Sequence, residues 1–141
     1  GPYLEEIKKY VRQLSLENYV VFLGWITEPE KSLILKNSEV FAMTPTTVGE
    51  SVEGFGMAFI DAAFHGIPSV GSRSGGISDA IIENETGLLA EAGNQEEITK
   101  KLTELLGNVE LRTKLGQRGR EIAESQYSWD NKILEYLEAA N

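Results

Sequence analysis

The 141-residue sequence has no cysteine, a single histidine, four prolines and only three aspartates. Lacking cysteine, it can form neither disulfides nor thiolate chemistry, although that alone fixes no compartment. His65 stands alone, and Asp61, Asp79 and Asp130 are far apart. The usual transition-metal clusters and an Asp-x-Asp pair for a divalent ion are therefore missing, and any chemistry is expected to be metal-free. No apolar run approaches the roughly 18 residues of a membrane span. No basic leader runs into an apolar stretch, so the chain reads as carrying no secretory signal, with a cytoplasmic location as the default. Positive charge is also scarce: 13 Lys and Arg face 22 Asp and Glu, for a net charge of −9. That balance argues against nucleic acid as a partner and against an anionic membrane surface.

What is present is ordinary globular material, 41% hydrophobic and 25% charged, at a length that fits one domain. Leu4, Ile7, Val11 and Leu14 are spaced as on an amphipathic helix over 3–14. Residues 19–24 (YVVFLG) read as a buried strand and 28–37 as a helix with Pro near its start. A second strand is expected over 39–45, stopped by Pro45, then a loop to 55 and a helix from about 56 to 65, closed by Gly66. Residues 67–72 read as a third strand, 75–84 as a short helix and 85–91 as a turn and fourth strand. Helices are expected over 95–106, 109–125 and 129–140. Strands alternating with helices over short connections imply a doubly wound parallel sheet with helices on both faces. Ligands of such sheets bind at the carboxyl ends of the strands, which here gather the loops at 24–28, 44–55 and 72–75.

The stretch GESVEGFGMAFIDAAFHG (49–66) places a glycine-rich acidic loop before an apolar helical segment. A helix starting near Gly56 presents unpaired amides and partial positive charge, an anion site that Gly54 and Gly56 leave unobstructed. The pattern fits neither a Walker loop nor a dinucleotide fingerprint. Glu53 and Asp61 repel phosphate, but a carboxylate accepts two hydrogen bonds from a vicinal diol. A ligand with a sugar at each end and phosphate between, a nucleoside diphosphate sugar, suits that layout. Ordinary solvated carboxylates on an acidic protein are the other reading of the same residues.

Glu53-Gly54-Phe55-Gly56 followed by Asp61-Ala62, then HGIPSVGSRSGGISDAIIENETGLL (65–89), resembles the retaining glycosyltransferases of family 4, which have the GT-B fold. VVFLGWI (20–26) and SQYSW (125–129) match as well, so the resemblance covers nearly the whole chain. It implies a Rossmann-like donor-binding domain over 1–141, acting as a hexosyltransferase in carbohydrate biosynthesis. Glu53 would hold donor-sugar hydroxyls as the catalytic carboxylate, Asp61 the ribose diol, and amides around Phe55, Gly56 and Met57 the diphosphate. Ile26, Glu28 and Lys31 would lie along the base. The nucleotide sugar would be a substrate, with no cofactor and no metal. Asp61 and Asp79 stand where the family usually has Glu. GPYLEEI (1–7) resembles the end of a Gly-Asp-Gly-Pro turn that lies inside the family's donor domain. An Arg and a Lys that neutralise the departing diphosphate, and an acceptor domain for a glycan or lipid, would therefore precede this chain. The chain alone is expected to transfer nothing, and the full-length protein to be cytoplasmic or membrane-peripheral. A related epimerase or phosphorylase, and a non-catalytic binding domain, are the rival readings.

Other residues read more plainly. Glu50 is expected to be solvated, and His65, before a helix-ending glycine, to be a capping or packing residue. Phe59 and Phe64 read as core, and Trp25 as base-stacking or packing. Arg73 is a candidate contact for phosphate or acceptor.

Overall fold

The computed structural model describes residues 2–46 and 56–128. The chain forms two compact units, Gly1–Lys31 and Ser32–Asn141. The expected helix over 129–140 lies outside the described residues.

In the first unit, α1 (Leu4–Gln13) follows the predicted amphipathic pattern and buries Val11. The 19–24 run departs from expectation. It follows a turn in which the Tyr19 and Val20 amides donate to the Leu16 carbonyl, and it joins no ladder among the described residues. Tyr19, Val21 and Leu23 are exposed. A strand needs a neighbour's N–H and C=O groups, and an apolar composition does not provide them. Four strands were expected and three are described. Helix α2 (Glu28–Lys36), whose residues from Ser32 on belong to the second unit, starts as its sequence predicts: the Thr27 amide and hydroxyl both donate to Glu30 Oε2 at 2.7 Å, the return half of a capping box.

The second unit is built on a parallel sheet of β1 (Phe41–Met43), β2 (Ser69–Ser72) and β3 (Gly87–Ala90), in the order β1-β2-β3. In register, Ala42 lies opposite Val70, and Val70 opposite Leu88. β2 and β3 are buried along their whole length, as strands covered on both faces must be. On one face Val70 and Leu88 pack with Leu105 of α5 (Gln95–Gly107) and Leu115 of α6 (Val109–Gln126). On the other, Leu89 packs with Phe59 of α3 (Met57–Phe64), with Ile77 of α4 (Ile77–Ala80) and with Ile81. Phe41 meets Phe59 edge to face at 5.4 Å.

The predicted helix over 75–84 contracts to the single turn α4. Ile81 is extended, Asn84 adopts φ +62°, and the Thr86 hydroxyl accepts from the Ile82 amide while the Thr86 amide donates to the Ile82 carbonyl. A Thr side chain offers the backbone an alternative to the helix, and here Thr86 supplies it.

Helices α3 and α6 approach so closely that a Cβ on Gly116 would stand 2.1 Å from the Gly66 carbonyl oxygen. In an open helix Gly→Ala stabilises, so the clash reverses the usual sign. Gly116→Ala is expected to lower urea-unfolding stability by about 2 kcal/mol. Gly107→Ala, which meets open space, should be neutral or gain up to about 1 kcal/mol. Equal stability of Gly116→Ala and wild type would show that the approach is not tight.

The Thr27 amide, then its hydroxyl, hold the Glu30 carboxyl below the usual glutamate value. A lowered folded value means that the cap stabilises above the unfolded value and is lost as pH falls through the folded one. Carboxyl NMR should show Glu30 titrating below an ordinary glutamate, and Thr27→Val should raise its midpoint.

Candidate functional site

The carboxyl ends of the three strands converge through side chains as well as through the ladder. The Ser72 hydroxyl at the end of β2 donates to the Pro45 carbonyl just beyond β1. The Thr46 methyl is 3.6 Å from where a Cβ on Gly93, in the loop after β3, would stand. Arg73 joins the exit of β2 to that of β3, with Nε 3.3 Å from Glu91 Oε1.

Helix α3 begins at this edge. Gly56 is its N-terminal boundary with φ +75° and ψ +50°, a left-handed conformation that strains any residue with a Cβ. A Cβ there would also come within 2.8 Å of the Phe59 ring. Two independent requirements thus demand glycine. The Phe59 amide donates to the Gly56 carbonyl at 2.9 Å, and among the described residues no side chain caps this end. The amides of Met57 and Ala58 open the helix, and Met57 is exposed. Orphan amides and a partial positive charge mark such an end.

Asp61 is the fifth residue of α3. It lies one turn from Met57, about 6 Å along the axis, on a face apart from the buried Phe59 and Ala62. It is half-buried, and its carbonyl accepts from His65 Nδ1 at 2.8 Å. His65 is therefore a capping residue, as its place before Gly66 suggested. Glu53, Gly54 and Phe55 lie outside the described residues. Of the residues assigned to the base, Ile26 is half-buried, while Glu28 is exposed and pairs with Lys31, Oε2 to Nζ 2.8 Å, within the first unit.

Arg73 is committed to carboxylates. Its Nη2 is 2.9 Å from Glu83 Oε2, in addition to the Glu91 contact. Glu83 also accepts from the Leu89 amide at 2.9 Å and stands 3.5 Å from Lys101 Nζ. This network around Glu83 gave no signal in the sequence, because its members are scattered over three loops and a helix. Asp79 borders a cavity of about 70 Å³ between α3, α4 and α6, with Ile60, Ala80, Thr86, Ala123 and Tyr127. Among the described residues no group of three or more His, Asp or Glu side chains could hold a metal ion, and no helix is long and apolar enough to cross a membrane.

The family described as "Glycosyl transferases group 1" matches residues 1–122. The GDP-mannose-dependent alpha-(1-6)-phosphatidylinositol monomannoside mannosyltransferase of Mycobacterium tuberculosis is 30% identical over 142 aligned residues, 97% of this chain and 37% of its own. The N-acetyl-alpha-D-glucosaminyl L-malate synthase of Bacillus anthracis is 29% identical over 136 residues, 96% of this chain and 34% of its own. Among solved structures, Anabaena HepE in complex with UDP matches with a TM-score of 0.84 at 21% identity, covering 99% of this chain and 37% of that one. Sucrose-phosphate synthase from Thermosynechococcus elongatus matches at 0.81 and 23%, covering 100% and 36%. The chain thus spans little more than a third of the curated relatives it matches. It belongs to the group 1 glycosyl transferases, and its parallel α/β fold is that of the GT-B glycosyltransferases.

Proposed function

We propose that this chain is the donor-binding part of a retaining, metal-independent glycosyltransferase of family 4 type. The start of α3 receives the diphosphate of a nucleotide sugar, Asp61 accepts from the ribose diol, and Glu53 holds donor-sugar hydroxyls and serves at the reacting centre. The observation that carries this reading is the left-handed Gly56 turn, which opens α3 without a side-chain cap among the described residues where three strand exits meet. The Mycobacterium relative, named for dependence on GDP-mannose, supports a nucleoside diphosphate sugar as the donor class. Metal independence rests on the composition: no cysteine, one histidine and three scattered aspartates.

In this reading Arg73 braces the loop after β2 through Glu83 and Glu91 rather than meeting phosphate. The acceptor, a glycan or lipid, is held by the remainder of a longer cytoplasmic or membrane-peripheral protein. The 141 residues alone bind donor and transfer nothing. A departing diphosphate of about two negative charges needs cations, and Arg73 and Lys101 already face carboxylates.

Thermal shift with UDP-sugars and GDP-sugars tests the binding half. At a free concentration about 100 times Kd, a ligand specific to the folded state adds about 2.7 kcal/mol. One nucleotide class is expected to stabilise the chain, and Asp61→Asn to weaken it about tenfold through loss of a charged acceptor. Gly56→Ala should cost about 1–3 kcal/mol of stability from the left-handed turn alone. No stabilisation by any nucleotide sugar would overturn the reading, and sugar transfer by the isolated chain would overturn its division of labour.

A further inference from the structure

The end of α3 leaves one carbonyl to a side chain. The Gly66 amide donates to Ala63 at 2.8 Å and the Ile67 amide to Ala62 at 3.0 Å, with Gly66 at φ +72°, the pattern of a Schellman end. The His65 amide, regular i→i−4 donor to Asp61, turns to the Ala62 carbonyl at 3.0 Å. The Asp61 carbonyl instead accepts from the His65 side chain, through Nδ1 at 2.8 Å. A carbonyl only accepts, so Nδ1 carries the proton. In the neutral ring Nε2 is then an acceptor, and the Ser32 hydroxyl of α2 donates to it at 2.8 Å. One imidazole therefore ties the Asp61 peptide to a neighbouring helix, with both ring nitrogens used.

We infer that His65, anchored by Ser32, is a positioning residue for Asp61. The carbonyl it holds and the Asp61 side chain share one Cα, so fixing the peptide fixes the direction in which the carboxylate leaves the helix. With only two side-chain torsions, an aspartate cannot make good a misdirected Cα–Cβ bond. This inference rests on the reading above, in which that carboxylate grips the ribose diol.

The test is binding of UDP and GDP to the 141-residue chain against their 2′-deoxy counterparts. The ratio of ribo to deoxy affinity isolates the diol contact while base and diphosphate stay constant. Asp61→Asn is expected to collapse the ratio towards one. His65→Gln, whose amide reaches towards Ser32 but offers no donor at the Nδ1 position, should reduce it about fivefold to tenfold, on the scale of one ordinary hydrogen bond. His65→Asn, whose amide nitrogen takes the Nδ1 position, should restore most of it, and Ser32→Ala should fall between. If Asp61→Asn collapses the ratio and His65→Gln leaves it intact, His65 does not position the carboxylate. If His65→Gln lowers both affinities alike, its role is general stability and the inference also falls. Absence of discrimination in the wild-type chain, or discrimination that survives Asp61→Asn, would overturn the diol reading itself. The Gln and Asn comparison decides the matter even if His65→Ala does not fold.

Discussion

Helix α3 is held at both ends by backbone conformations that favour glycine, and the candidate site takes its geometry from that. At its start, Gly56 turns left-handed with no room for a Cβ beside Phe59; at its end, Gly66 turns left-handed again. Between them Phe59 and Ala62 anchor the helix from two sides of its buried face, one against α4 and the sheet, the other against Leu35 and Ile67. The Gly66 carbonyl is then clasped by α6, whose Gly116 brings the two backbones together. A helix this short has little cohesion of its own. Its position is imposed by packing, and imposed tightly, because close-packed interiors leave few alternatives.

In the proposed reading, electrostatics divides binding from turnover. The chain carries a net charge of −9, and the cations found beside the strand exits, Arg73 and Lys101, are matched by Glu83 and Glu91. Among the described residues, what α3 itself offers an anion is its dipole, equivalent to about half a positive charge, together with its first amides. A ground-state diphosphate, still bonded to a sugar, can be held by amides of that kind. The same group as a leaving group gathers charge in the transition state, and half a charge does not meet that demand.

The parallel α/β architecture was legible in the sequence because buried strands advertise themselves: β2 and β3 are continuous small and apolar runs bounded by glycine and charge. The helix starts at 95 and 109 were legible too. Asn94 accepts from the Glu97 amide and Asn108 from the Leu111 amide, starting α5 and α6 within a residue of where the sequence places them. The same logic failed at 19–24, where composition and strand propensity agreed but a pairing partner, which no local pattern encodes, was needed. It failed again at 75–84, where helical spacing continued past Ile81 but the Thr86 side chain supplied a competing bond and Asn84 turned left-handed. In the candidate site, Gly56 and Asp61 were legible as a motif. Arg73 was read as a candidate contact for phosphate or acceptor, because its carboxylate partners are 10 and 18 residues away. Ser32 was invisible for the same reason: its link to His65 spans 33 residues and two helices.

The aspartate at position 61 gives that link its meaning. A glutamate has one more torsion and one more methylene, enough to reach a diol from a range of backbone placements. An aspartate exchanges that tolerance for a smaller loss of conformational entropy on binding, since fewer rotamers are immobilised. The exchange is favourable only where the backbone already points the carboxylate correctly. At this position the usual amide donor has turned to the next carbonyl, and an imidazole braced by a second helix takes its place. In the proposed reading, a short carboxylate and a fixed peptide are therefore two parts of one solution, and neither would serve a diol well without the other.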